Sequence, residues 1–337
     1  MGVRVEVRAE RVGAPFFRYV HLPTDHVPMH IARPSTFGFT VVLALLLGGG
    51  VAVIGLQAEA LDGWAVALGL IPFLIVLVIG LRRPLRRWRA VREPLPADAR
   101  AWFERHVPLY GRMEEPARTR FERDVQIVLA EARFEGVGGV EVTDELRLSV
   151  AAGVALLLHG RPEWELQLDR TFLFYPGHFG DDYTSLEPEY DGMVHPQGPV
   201  ILSAPAIAES WSRADGSNVV LHELAHLFDY DDLYADGVPS LLDPGSVEAW
   251  TALVRRETAL VQRGRSMLRR YAATNPAEFF AVATEVFFER PDDLARRHPD
   301  LFETLVALYH LDPRTEDAPP ESPEESERPS LMARRWR

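Results

Sequence analysis

The sequence predicts an α+β chain: a mainly helical body with a small sheet, preceded by a two-helix transmembrane hairpin. Three observations predict it. Two charge-free apolar runs of nearly membrane length precede residue 82 and are bracketed by arginines. Helical apolar spacing dominates between residues 97 and 310, and only short aromatic or β-branched runs interrupt it. The 337 residues divide on this reading into five parts. They are a cytoplasmic N-terminal segment (1–35), the hairpin (36–83), a basic Pro-containing linker (84–98), the body (99–312) and a disordered acidic tail (313–337).

Composition limits the chemistry. Cysteine is absent, which excludes disulfides, thiolate nucleophiles and thiolate metal sites, so a metal must be held by His, Asp or Glu. Lysine is absent too, and with it Schiff-base and P-loop chemistry. The net charge of −13 is unevenly spread: residues 1–99 carry 11 Arg against 7 acidic residues, residues 100–337 carry 25 Arg against 42. An acidic body without a basic stripe does not suit direct nucleic-acid binding, which depends on neutralised phosphates.

In the first segment Val3, Val5 and Val7 alternate with Arg4, Glu6 and Arg8, the period of a short half-buried strand. His21, His26 and His30 lie in a Pro-bearing stretch and read as solvated loop residues. The first span, 37–56, is almost wholly apolar over the roughly 20 residues a helix needs to cross the hydrocarbon core. The second, 63–81, starts at Trp64, contains Pro72 and is followed by Arg82, Arg83, Arg86, Arg87, Arg89 and Arg92. The connection holds Glu59 and Asp62 but no Arg, whereas Arg4, Arg8, Arg11, Arg18 and Arg33 precede the first span. Positive charge on both outer flanks predicts a multi-pass protein of the cell (inner) membrane with its body in the cytoplasm.

Beyond Pro94 and Pro96, residues 97–112 and 116–133 have helical spacing. Residues 139–143 read as a short strand, then 143–158 as a helix with Thr143 as N-cap and Asp144 and Glu145 in its first turn. Strands are expected at 171–175 and 199–202, with an acidic loop at 180–192 between them. Helices dominate again from 218 to about 310, and the Pro, Glu and Ser content from 313 on predicts a disordered tail.

The chemistry-bearing stretch is His222-Glu223-Leu-Ala-His226, an H-E-x-x-H on an apolar helix introduced by Ser217 and Asn218. Residues four apart lie one above the other, so the two imidazoles present to one point, while Leu221, Leu224, Ala225 and Phe228 form the core stripe. Glu223 is turned about 100 degrees around the axis. From there it reaches a metal-bound water as general base without taking a ligand position. Zn2+ is the expected cofactor. The third ligand stays open on pattern alone. Asp229, three residues on, suits an acceptor that orients His222 or His226. Glu278 falls at the N3 position of a helix capped by Asn275 with Pro276 at its start, where a capping role competes, and Glu285 returns to the same face seven residues later.

His222-Glu-Leu-Ala-His226-Leu-Phe-Asp229 followed by Tyr271-Ala-Ala-Thr-Asn-Pro-Ala-Glu278-Phe-Phe-Ala-Val resembles the Mlc titration factor A family of zinc-dependent peptidases. Glu93-Pro-Leu-Pro96, Val142-Thr-Asp-Glu-Leu-Arg-Leu148, Phe172-Leu-Phe-Tyr-Pro176 and Gln197-Gly-Pro-Val-Ile-Leu-Ser203 resemble it in the same order, so the likeness covers roughly 93–312. The resemblance implies a zincin-like, gluzincin-type metallopeptidase, with His222, His226 and Glu278 as zinc ligands and Glu223 as base. Tyr271 becomes the hydroxyl donor to the oxyanion, as in the similar active site of the anthrax lethal factor catalytic domain. Glu285 then supports the ligands. The resemblance also implies aminopeptidase-like cleavage, a peptide-pairing edge strand at 198–203 above the zinc, and a transcriptional regulator as partner beside the peptide or protein substrate. His178 and His195 lie near those strands. The membrane hairpin departs from the family, whose best-known member looks soluble.

Overall fold

The computed structural model describes residues 34–57, 64–161, 170–179, 190–195, 198–229, 236–239, 242 and 244–315. The expected N-terminal strand, the three histidines near it, the Glu59–Asp62 connection and the tail beyond 315 lie outside these residues. The described residues form two compact units, 34–212 and 213–315.

The first unit opens with α1 (Pro34–Gln57) and α2 (Trp64–Ala90), the only described helices long and apolar enough to cross a membrane. Glycines let them approach closely: a Cβ on Gly69 would stand 2.5 Å from the carbonyl oxygen of Gly48. Their outer faces are open, with Leu46, Ile54 and Ile79 each more than 60% exposed.

The expected linker is largely helical. Residues that read as a basic, Pro-containing connector from 84 continue α2 without a break to Ala90, through Pro84. The physical reason lies on α5 (Glu115–Glu131), whose buried last residue, Glu131, takes Arg87 Nε and Nη2 at 2.8 Å each and Arg83 Nε and Nη2 at 2.9 and 3.0 Å. Burial favours the protonated acid, but the two guanidinium groups outweigh it and hold this carboxyl below the usual range. Between α2 and α5 run α3 (Ala97–His106) and α4 (Pro108–Arg112), so the single expected helix 97–112 is broken ahead of Pro108. Trp102, Phe103, Tyr110 and Phe121 pack edge-on and tilted in the core between them.

Four short strands are described. β1 (Arg133–Gly136) and β2 (Thr171–Tyr175) pair in parallel, β2 and β4 (Val200–Ser203) do the same, and β3 (Gly192–Val194) adds antiparallel to β4. The order is β1-β2-β4-β3. Two expectations fail here. The strand expected at 139–143 lies earlier, at β1, because Gly138 and Gly139 adopt positive φ and turn the chain before α6 (Asp144–Leu158). The segment expected as an edge strand holds β4, which is paired on both sides and buried throughout. Thr143 does cap α6, its hydroxyl accepting from Leu146 N at 3.3 Å. From Ser203 the chain enters α7 (Ala204–Ser210).

The second unit is helical: α8 (Val219–Asp229), α9 (Val247–Gln262), α10 (Pro276–Glu289), α11 (Pro291–Arg297) and α12 (Pro299–Tyr309). Phe279, Phe280, Phe287, Leu301, Leu305 and Tyr309 fill its core. The segment between α9 and α10 is pinned by buried His298, which bonds Glu257 through Nδ1 at 2.7 Å and accepts from Met267 N through Nε2 at 3.3 Å. It leads to a 3-10 turn, Arg270–Ala273.

Candidate metal centre

The helix that carries the H-E-x-x-H is held at its start and buried along its length. Asn218 Oδ1 accepts from the Val220 and Leu221 amides at 3.1 Å each, satisfying donors the helix leaves unpaired. Val220, Leu221, Leu224, Ala225 and Phe228 are buried against the core, yet so are His222, Glu223, His226 and Asp229. Four ionisable residues on a buried helix need partners, because an unsatisfied polar group in the interior costs free energy.

The partners come from α10. Asn275 Oδ1 accepts the Glu278 amide at 2.9 Å, and Pro276 fits the first turn, where a missing N–H costs nothing. With its backbone capped, the Glu278 carboxylate turns to the histidines. Its Oε2 stands 3.0 Å from His222 Nε2 and 3.7 Å from His226 Nε2, and the two Nε2 atoms are 3.3 Å apart. These three are the group of His, Asp and Glu atoms that converge tightly enough for a cation among the described residues.

Glu285 lies behind the cluster. Fully buried, it places Oε1 2.7 Å from His222 Nδ1 and accepts the Asn218 amide on Oε2 at 2.6 Å. With Nδ1 donating to this carboxylate, the His222 ring is oriented so that Nε2 points toward Glu278 and His226. Arg269 completes the arrangement with Nη2 on Oε1 at 2.7 Å and Nη1 on Oε2 at 2.8 Å, so every oxygen of Glu285 is engaged. Sequence reasoning missed Arg269. Its signal was a basic residue two positions before Tyr271, readable only once Glu285 is known to need a counter-charge. Burial opposes charge on His222, but Glu278 and Glu285 outweigh it and push its pKa up to about 10. Burial also raises the Glu223 carboxyl.

The other expected residues sit at the margins. Tyr271 is 44% exposed, its ring centroid 5.9 Å from that of His222 and 5.9 Å from Arg269 Cζ. The Asp229 oxygens receive the Gly237 amide at 2.9 and 3.0 Å. Gly237 is at φ +75°, and a Cβ there would meet Pro276 C at 2.3 Å, so this glycine seats the start of α10 close to the end of α8. In the other unit, exposed His178 pairs with Asp191, and the His195 carbonyl accepts from Arg170 at 2.7 Å.

Residues 82–310 match the family described as glucose-regulated metallo-peptidase M90. The chain belongs to this family. Among its relatives, the Synechocystis sp. protein slr2042 is 30% identical over 68% of this chain and 89% of its own length. Mlc titration factor A of Cronobacter sakazakii is 32% identical over 66% of this chain and 89% of its own, and that of Yersinia pestis 29% over 67% and 89%. An M90 metallo-peptidase implies a metal ion, and the donor set fits one. Three ligand atoms about 2.0–2.1 Å from a tetrahedral zinc stand about 3.4 Å apart, a value the observed separations bracket. Glu278 Oε2 is also buried without a hydrogen bond of good geometry, an acceptor that a cation satisfies.

Proposed function

We propose that the protein is a membrane-anchored, cytoplasm-facing zinc metallopeptidase. The observation that carries the peptidase reading is the convergence of His222 Nε2, His226 Nε2 and Glu278 Oε2 beside Glu223, with Glu285 bonded to the far side of His222. A bound zinc supplies Lewis-acid polarisation of the scissile carbonyl and lowers the pKa of its water to about 7. Glu223 takes the proton of the attacking water and delivers it to the leaving amine. Tyr271 donates its hydroxyl to the developing oxyanion, in the manner of a preorganised donor. Glu285 and Arg269 fix the His222 tautomer, and Asp229 anchors the end of α8 through Gly237. Aminopeptidase-like cleavage is the family's expectation and belongs to this reading.

The anchor rests on α1 and α2, whose lengths and open apolar faces suit a bilayer and whose arginine flanks favour the cytoplasm. A second reading draws on the printed name of the relatives: the protein binds a transcriptional regulator at the membrane, with zinc in a structural role.

The test measures zinc content and peptide hydrolysis of the full chain, Glu223→Gln and Glu278→Ala. Stoichiometric zinc, a loss of roughly 10²–10⁴-fold in hydrolysis by Glu223→Gln with zinc retained, and weakened zinc in Glu278→Ala are expected. Tight zinc without hydrolysis of a broad peptide library turns the reading toward regulator binding. Absence of zinc sinks both.

A further inference from the structure

The six arginines that follow the second span are not equivalent. On a helix, residues three and four apart share a face. Arg83 and Arg87 therefore share one, and it is spent on Glu131. Arg82, Arg86 and Arg89 share the next face around, and all three are exposed. Arg86 has only a distant 3.9 Å approach to Glu131, through Nη2. The third face carries Leu85 and Trp88, exposed by 44% and 48%, with the Arg92 guanidinium over the Trp88 ring at 5.4 Å.

The stretch 82–92 thus holds six Arg and no acid, and its one close carboxylate partner among the described residues is bonded to Arg83 and Arg87 and comes no nearer than 3.9 Å to the outer three. Position along the helix decides what meets that face. Arg82 follows directly on the apolar run ending at Leu81, and seven residues at about 1.5 Å each put Arg89 roughly 10 Å further along. The polar headgroup layer of one leaflet is about 5–8 Å deep. On the membrane reading proposed above, the Arg82/Arg86/Arg89 face lies within and just beyond that layer, with Leu85 and Trp88 beside it as amphipathic interfacial anchors.

We propose that this face is a binding surface for acidic phospholipid headgroups. Its partner is a lipid bearing net negative charge, engaged by three guanidinium groups on one helical stripe and fixed in depth by Trp88. The Glu131 clamp does a complementary job: it keeps Arg83 and Arg87 off the lipid and holds the outer stripe outward. Guanidinium forks suit phosphate oxygens, and a juxtamembrane basic cluster attracts anionic leaflets.

The test reconstitutes the full chain in nanodiscs of phosphatidylcholine with phosphatidylglycerol. The relative association of a spin-labelled phosphatidylglycerol over a spin-labelled phosphatidylcholine is the readout. Preference for the acidic lipid by about fivefold or more is expected, falling at high salt and falling toward parity in Arg82→Gln/Arg86→Gln/Arg89→Gln. Arg255→Gln/Arg263→Gln/Arg297→Gln, an equal charge change on exposed residues of the other unit, should leave it intact. A protein that inserts but shows no lipid preference, or loses it equally in both triple variants, overturns this inference and leaves the membrane anchor standing. A protein that fails to insert overturns the anchor and the inference together.

Discussion

Glu131 and Glu289 are each the last residue of a helix, α5 and α10, where the helix dipole already disfavours a negative charge. Both are drawn out of water, and they go opposite ways. Glu131 is met by Arg83 and Arg87 and its carboxyl is held low. Glu289 is met by the Gly216 amide at 2.7 Å and Asn218 Nδ2 at 3.1 Å, and burial raises it to about 7. The donors decide the charge state: two guanidinium groups keep a desolvated carboxylate ionised, and two neutral N–H groups do not. Glu285, one turn before Glu289, is likewise met by a guanidinium, that of Arg269, and also bonds a histidine. One pairing chemistry secures a helix in one unit and orients a candidate metal ligand in the other.

The largest effect should come from Glu131→Ala, which leaves Arg87 buried without its carboxylate. Removing one partner of a buried pair costs about 3–5 kcal/mol. Hydrogen exchange in α5 should accelerate strongly while zinc binding stays at wild-type level; unchanged exchange would show the pair to be ornamental. Glu285→Gln removes the charge at the matching place in the second unit. Zinc affinity, from competition with a chelator, should fall by roughly 10–100-fold. Equal affinity in wild type and variant would reduce Glu285 to a packing residue.

A smaller effect tests how the two helices that carry the candidate ligands are spaced. Gly237→Ala forces a side chain into the left-handed region and against Pro276, which should cost on the order of 1–3 kcal/mol and weaken zinc retention. Unaltered zinc retention would mean that Gly237 does not set the approach of α10 to α8.

An effect of similar size, confined to a pH window, belongs to Glu289. Its folded-state pKa lies above the unfolded value, so the proton stabilises the native form. That stability is complete below about 4.5 and is lost as pH rises through about 7, an effect on the order of 1–3 kcal/mol. Urea unfolding of wild type and Glu289→Gln across pH 4.5–8 should show the gap between them changing in that window. A gap independent of pH would contradict the contrast with Glu131.

What the sequence displayed follows from what is local. The four-residue spacing of His222 and His226, the Asn275-Pro276 start of α10 and the Thr143 cap each depend on neighbours within a turn, and each is found. Glu278 needed more than local pattern: its place beside the two histidines emerges only once α8 is seen beside α10. Arg269, Glu131 and Gly237 were invisible because their partners lie 16, 44 and 39 residues away, at Glu285, Arg87 and Pro276. The sheet was the least legible part. Its strands are three to five residues long, too short for a period to distinguish β1 from the turn after it, and edge position depends wholly on pairing.

The unbroken course of α2 has a mechanical meaning. A protein tied to its anchor by a loose connector leaves that anchor undisturbed when something tugs on it, since the slack absorbs the displacement. Here the apolar helix runs straight into the Glu131 clamp, and only residues 91–96, at most about 20 Å of extended chain, separate it from α3. On the membrane reading proposed above, a displacement of α5 reaches the hairpin through the clamp, and a change in helix tilt reaches α5 in return.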